Sequence, residues 1–121
     1  MNPTENFSIS EFDCPCCQTN FMQDSFISAL QVARDYLGRP IHINSGFRCP
    51  VHNGRVGGVS ESSHMAGLAS DLHCNHSQSR YLLIGSLLRA GFNRIGIYKY
   101  FIHVDRDPTK PPGVIWAGRD L

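Results

Sequence analysis

The chain has 121 residues, a formal net charge of +1, 41% hydrophobic residues and five cysteines. That length fits one domain spanning 1–121, which can bury roughly two-thirds of its unfolded surface and so needs no disulfides to hold a core. The hydrophobic content argues against disorder, no apolar run reaches the roughly 18 residues of a membrane helix, and the balanced charge gives no reason to expect nucleic acid as a partner.

The N-terminus, Met1 to Asn6, lacks the basic stretch and apolar segment of a secretory signal. This predicts a chain made and kept in a cytoplasm unless another route exports it. The odd cysteine count agrees. Phe7 to Phe12 is a short opening segment that leads into Cys14-Pro15-Cys16-Cys17. Phe26, Leu30, Ala33 and Leu37 form one apolar stripe and predict a helix from Asp24 to Leu37, capped by Asp24 or Ser25 and ended by Gly38 and Pro40. Ile41 to Asn44 alternates like a strand entering a turn at Ser45-Gly46. Phe47 to Gly67 is polar and glycine-rich, without helical or strand period, and loops of that length in a compact domain are functional or disordered.

Leu68 to Cys74 reads as a strand. Ser77 to Arg89 reads as a second helix, with Leu83, Leu87 and Ala90 on one stripe and Gly91 as its stop. Arg94–Tyr98 and Phe101–Asp105 read as two strands joined by a tight turn at Lys99-Tyr100. The tail carries three prolines and a lone Trp116. The fold class is α+β, a small, mostly antiparallel sheet with flanking helices.

With strands assigned, His64 falls in the long loop, Asp71 in the strand after it and His103 in the last strand. Two imidazoles and a carboxylate are a common catalytic zinc set that leaves a fourth position for water. The spacing alone is a weak pattern, and a histidine on a strand is often there for packing. His73 shares a strand face with Asp71 and is the rival for a ligand position. His52 lies close to Arg48 in sequence and is a candidate to line the cleft, while His42 and His76 read as surface or structural residues.

The local context is more specific. Ser62 to Asp71 matches S-x-H-x-x-G-x-A-x-D, Asn44-Ser45-Gly46-Phe47-Arg48 is followed by His52-Asn53, Val56-Gly57-Gly58 follows those, and Phe101-Ile102-His103-Val104-Asp105 ends the series. Over about residues 7 to 107 the chain resembles the M15 peptidases, zinc D-Ala-D-Ala carboxypeptidases and related peptidoglycan endopeptidases that share their fold with the Hedgehog signalling domain. The resemblance implies one catalytic zinc held by His64, Asp71 and His103. Such a zinc lowers the pKa of bound water to about 7 and polarises the scissile carbonyl. Gly67 and Ala69 fit such a site because bulkier side chains would crowd the metal or the adjacent backbone.

The resemblance also implies that Arg48 faces substrate. It could grip a terminal carboxylate through paired hydrogen bonds or stabilise the oxyanion, or it could simply brace the loop. Ser62 could bind substrate or hold the His64 loop. Many relatives carry an acid three residues before the last histidine, and that position is Tyr100 here, which leaves the general base open. Asp105 is the best replacement. It shares a strand face with His103 and could act on the zinc water or hold the His103 ring. Asp107 is a weaker candidate.

Cys14, Cys16 and Cys17 could bind a second, structural metal together with Cys49 or Cys74, although C-x-C-C is not a usual knuckle spacing, or could be ordinary buried thiols. A Cys14–Cys49 disulfide requires an oxidising compartment. The expected function is a monomeric zinc metallopeptidase acting on peptidoglycan stem peptides or cross-bridges, of the kind a phage or prophage uses in lysis or carries in its particle. The alternatives are a non-hydrolytic zinc-binding module and a structural virion protein with the same fold.

Overall fold

Phe26, Leu30 and Ala33 are fully buried along one face of α1 (Asp24–Leu37), in the computed structural model that describes residues 4–119. Gln23, not Asp24 or Ser25, occupies the cap position of this helix and makes no side-chain cap. Asp24 lies in the first turn, where its charge opposes the positive end of the helix dipole. Gly38 ends the helix in the left-handed conformation, φ 72°, and its N–H closes on Arg34 O.

The strands are β1 (Ile43–Ser45), β2 (Ala69–His73), β3 (Arg94–Ile97), β4 (Phe101–Asp105) and β5 (Val114–Ala117), in the spatial order β1-β2-β4-β3-β5. The first three neighbour pairs are antiparallel and β3–β5 is parallel, so the sheet is mixed rather than mostly antiparallel. The difference comes from β5. Its Val114-Ile115-Trp116-Ala117 run follows three prolines, too short to announce a strand. A second helix, α2 (Pro50–Arg55), lies within the segment expected to be irregular. Six residues cannot show a helical period, but Pro50 is at the first turn and the Cys49 sulfur accepts from His52 N.

Along β4, Ile102 and Val104 are fully buried in a core with Leu72, Ile95, Leu87 and Phe26. α1 packs against α3 (Ser77–Arg89), and Phe26 meets Phe92 edge-on at 5.7 Å. By the two-residue alternation of strands, His103 and Asp105 then face the side of the sheet away from Ile102 and Val104.

Candidate metal centre

Strand register assembles the site. Asp71 on β2 stands opposite His103 on β4, His103 opposite Gly96 on β3, and Gly96 opposite Trp116 on β5. These residues therefore form one row across four strands. Gly96 sits in that row because a Cβ there would come within 2.6 Å of the Trp116 ring. His64 reaches the row from a pair of tight turns: Met65 N donates to Ser62 O, and Ala66 N to Ser63 O. Gly67 closes these turns with φ 70°, and its carbonyl accepts from Gln23 N at the start of α1. What a side chain at Gly67 would strike is the Phe21 backbone, not the site.

Two imidazoles converge on one carboxylate oxygen. His64 Nε2 is 3.2 Å and His103 Nδ1 is 3.0 Å from Asp71 Oδ1. The opposite nitrogen of each ring is also engaged. His64 Nδ1 lies 2.7 Å from Gly46 O, and His103 Nε2 lies 2.8 Å from Asp105 Oδ2. A carbonyl only accepts, so the His64 proton is on Nδ1. In its neutral form this ring turns a bare lone pair on Asp71, and His103 does the same when its proton serves Asp105. Lone pairs facing an ionised carboxylate repel it unless the rings are protonated or a cation lies between them. The ligand atoms of His64, Asp71 and His103 all lie within 4.8 Å of one another and could hold a metal ion.

The electrostatics follow from these contacts. Burial pushes the Asp71 carboxyl up, but hydrogen bonds from His103 and His64 outweigh it and hold the group well below the usual carboxylate range. Burial pushes His103 down, yet Asp105 and Asp71 together raise it above its ordinary value. Asp105 is 1% exposed. Burial opposes its ionisation too, and His103, the Asp107 N–H and Arg94 lower it nonetheless. Arg94 Nε donates to Asp105 Oδ1 at 2.8 Å, so both oxygens of Asp105 are committed. Arg48 donates to Asp71 Oδ2 and to Asn53 Oδ1, each at 3.3 Å.

The site opens into a cleft of about 330 Å³ whose lining includes Arg48, Ser62, His64, Asp71, His103 and Asp105. Ser62 is buried, and its Oγ accepts from His64 N at 3.2 Å, which fixes the histidine turn. Arg94, Lys110 and Trp116 also line the cleft and were not singled out from the sequence. Arg94 could have been found, because as the first residue of β3 it falls opposite Asp105 once β3 and β4 are read as a hairpin. Trp116 could not, since its strand carries no readable pattern. Tyr100, at the position of the usual acid, is 61% exposed in the β3–β4 turn and does not line the cleft. His73 packs edge-on against His42, and His76 caps α3 by accepting from Ser79 N. Asp107 accepts from Ser63 Oγ at 2.7 Å and from Thr109, and so ties down the loop after β4.

An α+β sheet that presents two histidines and an aspartate at the head of a polar cleft defines a candidate metallohydrolase. The Peptidase M15 family model matches residues 5–105, and the chain belongs to that family. The chain is also similar to the zinc D-Ala-D-Ala carboxypeptidase of Streptomyces albus G, with 42% identity over 67 residues. That match covers 54% of this chain and 26% of the carboxypeptidase, so it spans about a quarter of the relative's length.

Proposed function

We propose that this protein is a zinc-dependent peptidase that hydrolyses peptide bonds in peptidoglycan stem peptides or cross-bridges. The domain spans 1–121, and His64, Asp71 and His103 are the metal ligands. The observation that carries the reading is the convergence of two imidazole nitrogens on Asp71 Oδ1, each ring turned by a hydrogen bond on its far side. That donor set fits zinc, which takes nitrogen and carboxylate ligands. Bound there, zinc supplies Lewis-acid activation of water and of the scissile carbonyl.

The remaining roles belong to the chain. Gly46 O and Asp105 keep the two rings in the tautomers that leave their inward nitrogens free. Asp105 acts through His103, because His103 and Arg94 occupy both of its oxygens. Arg48 holds Asp71 with one arm of its guanidinium. Its further N–H groups are suited to a substrate carboxylate or a developing oxyanion. Ser62 holds the His64 turn and stands at the cleft wall, where it can meet the peptide. Arg48, Arg94 and Lys110 line the cleft, each paired with an aspartate (Asp71, Asp105 and Asp107), and their remaining N–H groups suit an anionic peptide end. A phage or prophage lysis enzyme is the biological setting we infer.

A zinc-binding module without hydrolysis is the second reading. It is favoured by the absence of a free carboxylate among the described cleft residues, Asp71 and Asp105 both being engaged. The deciding experiment incubates zinc-loaded protein with a stem pentapeptide ending in D-Ala-D-Ala and, separately, with intact sacculi. Released D-Ala or new amino termini, lost in His64→Ala and His103→Ala, support the peptidase. Zinc binding without cleavage of either substrate supports the module.

A further inference from the structure

Cys14, Cys17 and Cys49 are brought together although 35 residues separate the first from the last. Their sulfur atoms all lie within 4.8 Å of one another, and Cys14 Sγ is 3.6 Å from Cys49 Sγ. A tetrahedral zinc with zinc–sulfur bonds of about 2.3 Å sets its sulfurs about 3.8 Å apart, which is the scale of this triangle. The pair that gathers is Cys14 and Cys17, a C-x-x-C step, and the C-x-C-C string that includes Cys16 had hidden that knuckle spacing. Cys16 is exposed and lies beside Arg55, and Cys74 lies apart with Ser79.

The backbone is arranged for thiolate sulfur. Cys49 N donates to Cys14 Sγ at 3.5 Å, and His52 N donates to Cys49 Sγ at 3.4 Å. Three thiolates around a divalent ion leave one negative charge, and these N–H groups offset it. No histidine or carboxylate joins the three thiols among the described residues, so solvent fills the fourth corner.

We propose that Cys14, Cys17 and Cys49 form a second, structural zinc site that ties the N-terminal segment to the first turn of α2. The consequence for the cleft is direct. Cys49 follows Arg48, and Phe47 N already bonds Phe12 O at 2.8 Å, so an ion at the thiols would clamp the Arg48 segment from both sides. The site is independent of the His64, Asp71 and His103 centre, and its test does not read activity.

The test is the zinc content of full-length protein purified under reducing conditions, together with the near-ultraviolet spectrum after cobalt exchange. Wild type should carry about two equivalents of zinc and show a thiolate-to-cobalt charge-transfer band, which nitrogen and oxygen ligands do not give. Cys17→Ser changes an exposed residue and spares the buried thiol of Cys14. It should lower the zinc content by about one equivalent and abolish the band, while Cys74→Ser and His64→Ala keep the band. The proposal is overturned if Cys17→Ser retains the wild-type zinc content and band, or if alkylation at lysis finds Cys14 and Cys49 joined in a disulfide. A change in His64→Ala zinc content bears only on the other centre, so failure of one reading is separable from failure of the other.

Discussion

The His103 ring is gripped from two sides, by Asp71 at Nδ1 and by Asp105 at Nε2. Of the two, Asp105 is the one that fixes which nitrogen is free. It is buried and is itself fixed by Arg94 Nε. Partners of this kind, one step removed from a metal, change affinity by about 10–100-fold when replaced. Asp105→Asn should therefore weaken zinc binding by that order while leaving the fold intact, since asparagine keeps the volume and one acceptor oxygen. Competition with a chelator of known affinity measures it, and wild-type affinity would remove Asp105 from the positioning role. The motif S-x-H-x-x-G-x-A-x-D made His64 and Asp71 legible, and the final strand made His103 legible. The sequence left the role of Asp105 open between base and ring partner. That choice depends on which Asp105 oxygens His103 and Arg94 occupy, and the hairpin register alone does not set that.

At the scale of elements, the periodic segments were readable and the short ones were not. α1 and α3 present apolar stripes several turns long, and β2, β3 and β4 alternate or run apolar between turns. α2 is a six-residue helix too short for a period, and β5, unlike the equally short β3, has no tight turn to a sequence-adjacent partner, so both are fixed by their neighbours instead. β5 matters because it brings Trp116 beside His103, with ring centroids 5.5 Å apart, and lets Trp116 Nε1 donate to Tyr98 Oη at 3.0 Å. Gly96→Ala would drive a methyl into the Trp116 ring and push β5 outward. Trp116 is the only tryptophan, so its emission should shift to longer wavelength while far-ultraviolet dichroism stays unchanged. Unaltered emission would mean that the ring does not depend on Gly96. Gly67→Ala is a harsher change. It combines a left-handed φ of 70° with a Cβ 2.0 Å from Phe21 O, a backbone atom that cannot rotate away. The left-handed conformation alone costs about 1–2 kcal/mol, so the total loss of stability should exceed that, read as a lower denaturant midpoint at unchanged slope.

For the molecule as a whole, zinc at the proposed centre would compete with protons for His103, and this would set how stability and affinity vary with pH. In the metal-free protein Asp71 is held below the usual carboxylate range. Its stabilising contribution is present above an unfolded value of about 3.9 and is lost as pH falls below that, through the lowered folded value. His103 works in the opposite direction. Burial disfavours its charged form, but Asp105 and Asp71 raise its pKa above the ordinary 6.5. Its contribution is therefore full below about 6.5 and is lost as pH rises through the raised folded value. Metal-free protein should be most stable in mildly acidic solution and should weaken as His103 gives up its proton. Zinc reverses that trend, because it needs the neutral ring. Its affinity should rise over the same interval, with a proton released for each ion bound. Saturating zinc adds stability in proportion to the logarithm of its concentration over Kd, so the gap between zinc-loaded and metal-free melting temperatures should widen from pH 6 to pH 8. Cys17→Ser should preserve that widening, because the three thiols lie outside the histidine pair. A gap that narrows as pH rises would show that His103 does not compete with protons for the ion.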